Sequence, residues 1–217
     1  MIPNKTEERG GQPPCQPGRP AELSPWLKCA MLAAAEERRF MAEDIFDVVN
    51  ERDEVIGAKP RREVHARGWL HRAVHVFVFN SRGEIFLQKR SMKKDRQPGV
   101  WDSSCSGHVD SGETYDDAAV RELGEELGLK RPPPLEKLFK IAACAETDGE
   151  FVWLYRCQYE GPLRLAPDEI ETGVWFAPEQ VSTWIREKPV EFATAFVLIW
   201  KMYPAPQRAS GGITACP

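Results

Sequence analysis

No apolar run in the chain approaches the roughly 20 residues that a bilayer-spanning helix needs. The candidates are Ala195 to Trp200 and Leu27 to Ala35, the latter interrupted by Lys28, so no membrane partner is expected. There is no CxxC pair either. Cys15, Cys29, Cys105, Cys144, Cys157 and Cys216 are scattered, which argues against a disulfide framework or a zinc knuckle and fits a reducing, cytoplasmic setting. Positive charge is not in excess: 29 Lys and Arg stand against 33 Asp and Glu, a net charge of -4. Nothing draws such a chain to nucleic acid, and an anionic substrate must be held locally by a few cations or a metal. Histidine is scarce, with all four residues (His65, His71, His75, His108) in one stretch, and internal repeats are absent.

What is present suffices for one core. A length of 217 residues with 42% hydrophobic content fits a single catalytic domain. Residues 1–40, with Pro13, Pro14, Pro17 and Pro20 and no periodicity, are expected to form a disordered leader in which Trp26 to Arg39 could make a short helix. Residues 41–203 are expected to be the domain, and 204–217 a disordered tail. Within the domain, Ile45–Asn50 and Val55–Ile56 flank a charged turn and predict a hairpin. Val74, Val76 and Val78 alternate with His75, Phe77 and Phe79 before the turn Asn80–Gly83, predicting a second hairpin with a strand buried on both faces. The clearest helix is Thr114 to Leu127, with Thr114 as cap, Asp117 at the capping-box spacing and Gly128 as a left-handed stop. Strands follow at Phe139–Ala143, Phe151–Gln158 and Gly173–Phe176, and helices at Pro178–Trp184 and Glu191–Met202. This order predicts an α+β fold, a mixed sheet between helices.

In Arg121-Glu122-Leu123-Gly124-Glu125-Glu126, the carboxylates 122, 125 and 126 fall at i, i+3 and i+4 and share one helix face. Three like charges there repel. A hard divalent cation reverses the sign of that interaction. The alternative is a solvated acidic face, which spacing alone does not exclude. The surrounding residues decide between them: Gly107, five residues, Glu113, seven residues, then Arg121 through Leu129. At every fixed position this resembles the box of the Nudix hydrolase family, G-x5-E-x7-R-E-U-x-E-E-x-G-U with U apolar. Gly107 permits a close turn, Glu113 and Arg121 can pair to brace the loop, and Ala119, Leu123 and Leu127 give the helix a face to bury.

The resemblance implies a Nudix-like α/β/α sandwich with a mixed central sheet, and Mg²⁺ or Mn²⁺ bound by Glu122, Glu125 and Glu126 with the Gly107 carbonyl. It implies water attack on phosphorus in a small-molecule diphosphate, with Glu122 as first choice of base and Glu169 as second. Outside the box, Leu70-His71-Arg72, Gln88-Lys89-Arg90, Pro98-Gly99-Val100-Trp101 and Ser106-Gly107-His108 resemble the branch related to type 1 isopentenyl diphosphate isomerase. There Arg90 and Lys94 match diphosphate-holding positions, with a solvated loop as the alternative. His71 and His108 sit where relatives carry metal ligands, and His65 is near a third. Phe151 stands where their carboxylate belongs, with Glu150 one residue off. We therefore read His71 and His108 as lining the substrate pocket, with a second, nitrogen-rich metal site as the alternative. Ser106 replaces the isomerase cysteine and Cys105 is one step away, on the opposite face of a strand-like segment. Isomerase activity and a non-catalytic ligand-sensing module are the competing functions. An apolar C-terminal helix and family precedent suggest a homodimer.

Overall fold

Strand residues with apolar side chains on both faces must be covered on both sides, and the central strand of this protein is of that kind. The computed structural model describes residues 43–203 and the backbone of Ile213–Thr214. The expected leader, its helix and most of the tail lie outside the described residues. In chain order the elements are β1 (Ile45–Val49), β2 (Val55–Pro60), α1 (Arg61–Arg67), β3 (His71–Phe79), β4 (Ile85–Arg90), β5 (Trp101–Asp102), β6 (Cys105–His108) and α2 (Tyr115–Leu127). Then come β7 (Glu136–Ile141), β8 (Glu150–Gln158), β9 (Ile170–Phe176), α3 (Pro178–Glu187), α4 (Thr194–Met202) and β10 (Ile213–Thr214).

The sheet is mixed. β8 runs parallel to β3 along its whole length, β7 is antiparallel to β8, and β10 is parallel to β7. Val74, Val76 and Val78 face α2 with Ala119, Leu123 and Leu127, while Ala73 and Phe77 face α3 and α4 with Ile185, Phe196 and Ile199. This is the expected α+β sandwich. The second hairpin is a correction: its turn closes through Asn80 and Glu84, but β3 and β4 pair only at Phe79 and Ile85. Each strand edge carries one set of backbone groups, and β6 takes that edge of β3 from Ala73 to Val76. β4 is left to pair with β5 and β9.

The first hairpin forms as β1–β2, and α1 follows it unannounced by any periodicity, since Val64 is its one buried residue. Asp53, at the hairpin turn with φ of 60°, turns its carboxylate inward. It accepts from Arg72 Nε at 2.6 Å, Tyr115 Oη at 3.0 Å and Lys140 Nζ, tying the hairpin to the start of α2 and to β7. No helix among the described residues is long and apolar enough to cross a membrane.

Because Leu123 is fully buried between the box carboxylates, Leu123→Ala should cost about 2–5 kcal/mol of stability. Urea unfolding reads this directly, and a loss below about 1 kcal/mol would contradict the assigned packing.

Candidate active site

α2 begins where Thr114 Oγ1 accepts from the Asp117 amide at 3.1 Å, and ends at Gly128, whose φ of 74° reverses the chain. Its buried apolar face carries the carboxylates inward as passengers. Glu126 is buried, and its Oε2 accepts from Gln88 Nε2 at 3.1 Å and the Ser106 amide at 3.2 Å. Glu122 lies directly against Gly107, where any side chain would overlap its carboxylate. Gly107 is thus needed for close approach rather than for a turn, since it sits within β6 opposite Val74 and lacks a positive φ. Burial, followed by the neighbouring Glu126, pushes the Glu122 carboxyl up to about 8. Burial likewise raises Glu126 to about 7, while Lys94 opposes the rise. Two such acids on one helix face make a donor set suited to a hard divalent cation.

Arg121 organises this face. It donates to both oxygens of Glu113 at 2.9 and 2.8 Å, to the His108 carbonyl at 2.9 Å, to Glu122 Oε1 at 2.6 Å and to Glu125 Oε2 at 3.1 Å. Sequence reading missed two supports. Asp47 accepts from Ser111 Oγ at 2.7 Å and the Gly112 amide at 3.1 Å, fixing the loop into α2, and Gln88 anchors Glu126. Neither stands in the box motif.

Lys94 and Glu169, given separate roles from sequence, form an ion pair with each other. Both lie close enough to Glu126 to influence its proton affinity. Arg90 is engaged elsewhere: it donates to Asp102 at 3.1 Å and to the carbonyls of Gln97 and Arg96 at 3.2 and 3.1 Å. It braces the basic loop rather than presenting itself to a ligand, which corrects its assignment to substrate. Trp101 packs its ring against Phe176 and Trp184.

His65 on α1, His71 on β3 and His108 on β6 gather with ring centroids 4.9–5.3 Å apart. One ring nitrogen from each falls within 4.8 Å of the others. The parallel register sets Glu150 opposite His71, and its Oε1 lies 3.0 Å from His108 Nε2 and 3.6 Å from His71 Nε2. The carboxylate judged missing is therefore supplied by Glu150, because the cluster gathers across the β3–β8 pair at its start. Apart from Glu150 beside His108, the ring nitrogens that face one another lack hydrogen bonds: both nitrogens of His65, whose Nδ1 comes no nearer than 3.6 Å to Asp148, and Nε2 of His71 are buried with none. His71 Nδ1 faces the Trp69 carbonyl at 2.9 Å; donating there leaves the Nε2 lone pair directed at the cluster. His71 is wholly buried, which removes it from the residues expected to line a substrate pocket. Burial lowers His65 to about 4 and also lowers His108. Burial opposes ionisation of Glu150, but His108 and His71 facing its oxygens overrule this and hold it well below the usual carboxylate range.

His75 is a buried sheet residue, with Nδ1 2.6 Å from Ser103 Oγ. Cys105 packs among the apolar residues facing α2, one strand step from Ser106, whose Oγ lies 3.4 Å from Asp102 Oδ2. Cys144 is disulfide-bonded, a bridge that the scattered cysteine spacing gave no sign of, whereas Cys105 and Cys157 are free and buried.

A family model of the NUDIX domain matches residues 69–196. The chain belongs to the Nudix family. It is similar to Nudix hydrolase 3 of Arabidopsis thaliana, 47% identical over 116 residues, which are 52% of this chain but only 15% of that protein. It is also similar to an isopentenyl-diphosphate Delta-isomerase of Serratia proteamaculans, 32% identical over 73% of this chain and 90% of that one. The crystal structure of DR0079 from Deinococcus radiodurans superposes with a TM-score of 0.60 at 32% identity, covering 67% of this chain and 90% of that chain. These likenesses make the chain a Nudix hydrolase, of a family that acts on diphosphate-containing compounds.

In the metal-free protein Glu122 and Glu126 both hold protons that the unfolded chain, with carboxyls near 4.5, has released. Their contribution to stability is complete below that value and is lost as pH rises through about 7 and 8. The metal-free melting temperature should fall by roughly 5–10 °C between about pH 5 and pH 9, and saturating Mg²⁺ should flatten the slope. A metal-free slope that is flat or rises would contradict the burial of these acids.

Proposed function

We propose that this protein hydrolyses the diphosphate linkage of a small molecule, such as a nucleoside diphosphate derivative, by attack of water on phosphorus. One observation carries this reading: Glu126 is buried on the same helix face as Glu122, which is mostly shielded against Gly107, an arrangement that opposes ionisation of both acids and that a doubly charged cation would relieve. Glu122, Glu125, Glu126 and the Gly107 carbonyl would hold Mg²⁺ or Mn²⁺. When bound, such an ion supplies Lewis acidity towards a phosphoryl oxygen and lowers the pKa of water.

The chain's own groups do the rest. Glu122 accepts the proton of the attacking water as its oxygen bonds to phosphorus, and the bridging P–O bond breaks with its electron pair on the departing phosphate. Glu169 is the second candidate for this base, supported by its closeness to Glu126. Arg121 keeps the carboxylates on their face of α2, and Lys94 meets substrate phosphate. Turnover of a diphosphate panel with Mg²⁺ or Mn²⁺ should fall by about 10²–10⁴ in Glu125→Gln while its circular dichroism stays unchanged. Undiminished turnover would refute the ligand set. Products that keep their diphosphate would instead favour isomerase chemistry, for which Ser106 offers no thiol.

The unpartnered imidazole nitrogens favour a second metal site, made by His65, His71, His108 and Glu150. Neutral nitrogens with one carboxylate suit Zn²⁺, Fe²⁺ or Mn²⁺ better than Mg²⁺. Elemental analysis should find one such ion per chain in the purified protein, and a loss of it in His65→Gln. Equal metal content in both proteins would overturn the assignment.

A further inference from the structure

Lys94 and Glu169 are each useful to a diphosphatase, yet in the free protein each neutralises the other. We propose that Lys94 is a shared cation, held by Glu169 when the site is empty and taken over by the phosphate not under attack when a diphosphate binds, so that substrate itself releases Glu169. This deepens the diphosphatase reading and rests on it.

Three observations support the exchange. The pair is accessible: the Lys94 side chain is 21% exposed and that of Glu169 42%, so an incoming anion can reach the ammonium. It is also tied to the box helix, since the Ala166 amide donates to the Glu126 carbonyl at 2.9 Å and the Glu169 amide to the Ala166 carbonyl at 3.1 Å. Finally, the loop does not need the pair to keep its shape. Arg90 ties the carbonyls of Arg96 and Gln97 to Asp102, and Arg61 grips Asp95 through two bonds of 2.8 Å. Lys94 can change partner on a loop held by others. The neighbouring Lys93 repeats the pattern, reaching Asp168 across the same gap.

The energetics favour the exchange. A partly exposed ion pair is worth about 0.2–1 kcal/mol, whereas a charge-assisted contact to a multiply charged phosphate is worth more. An acid that occupies the cation part of the time lowers apparent affinity by the fraction of time it does so. Glu169 is therefore a competitor of the substrate until it is displaced.

A binding cycle tests this without turnover. Calorimetry with methylenediphosphonate and Mg²⁺ is run on the full chain, Glu169→Gln, Lys94→Gln and the double variant. Glu169→Gln should bind about two- to fivefold more tightly than the unsubstituted chain. Lys94→Gln should bind about tenfold or more weakly, and adding Glu169→Gln to it should change nothing further. If the pair is merely a structural clasp, Glu169→Gln weakens binding or leaves it unchanged, and the proposal falls. Equal tightening with and without Lys94 also overturns it, since that reports only the general negative field. Failure of methylenediphosphonate to bind the unsubstituted chain would sink the diphosphatase reading as well, which separates the two failures.

Discussion

Carboxylates are seldom taken out of water, and here Glu126 is buried within a turn of a largely shielded Glu122 on α2, with Arg121 the cation that reaches Glu122. Much of the surrounding architecture tolerates or exploits that crowding. Gly107 has no side chain because Glu122 occupies the space, and Gln88 and the Ser106 amide satisfy an oxygen of Glu126. Arg121 spreads one guanidinium over Glu113, Glu122 and Glu125 while holding the His108 carbonyl. The apolar side of α2 keeps the helix fixed, so the acids cannot relax into water. Such a site favours protons or divalent cations, and that preference connects stability with catalysis.

The first hairpin and α1 lie outside the 69–196 match, yet both reach into the site. Asp47 on β1 fixes the loop into α2, Asp53 joins the hairpin turn to Tyr115, and α1 contributes His65 to the histidine cluster. Their reach is geometric. Asp110 bridges Phe46 of β1, and β6 delivers Gly107 to the carboxylates and His108 to the imidazoles from adjacent positions. Both groups of candidate ligands thus share one short strand, and a strand turns successive side chains to opposite faces.

Some elements were legible for clear physical reasons. The valines of β3 have the period of a strand, and the cap, apolar face and glycine stop of α2 have the signature of a helix. The box spacing alone puts three acids on one helix face. Other elements left no such trace. α1 buries only Val64, so it has no periodicity to detect. The second hairpin has the expected turn but lacks its ladder, because β6 competes for the same edge of β3. In the sequence Glu150 is one residue off the carboxylate position, but parallel pairing of β8 with β3 brings it opposite His71.

By itself, then, the sequence determined the helix with its acids, the family and the class of chemistry. These depend on residues close in the chain, where periodicity and fixed spacing act directly. Only the tertiary structure decided that Glu126 is buried beside a largely shielded Glu122, that Lys94 is paired with Glu169, that Arg90 is committed to its own loop, and that Glu150 completes the histidine cluster. Each of these is a contact between segments far apart in sequence. Strand register and the competition for strand edges set such contacts, and local pattern carries little information about either.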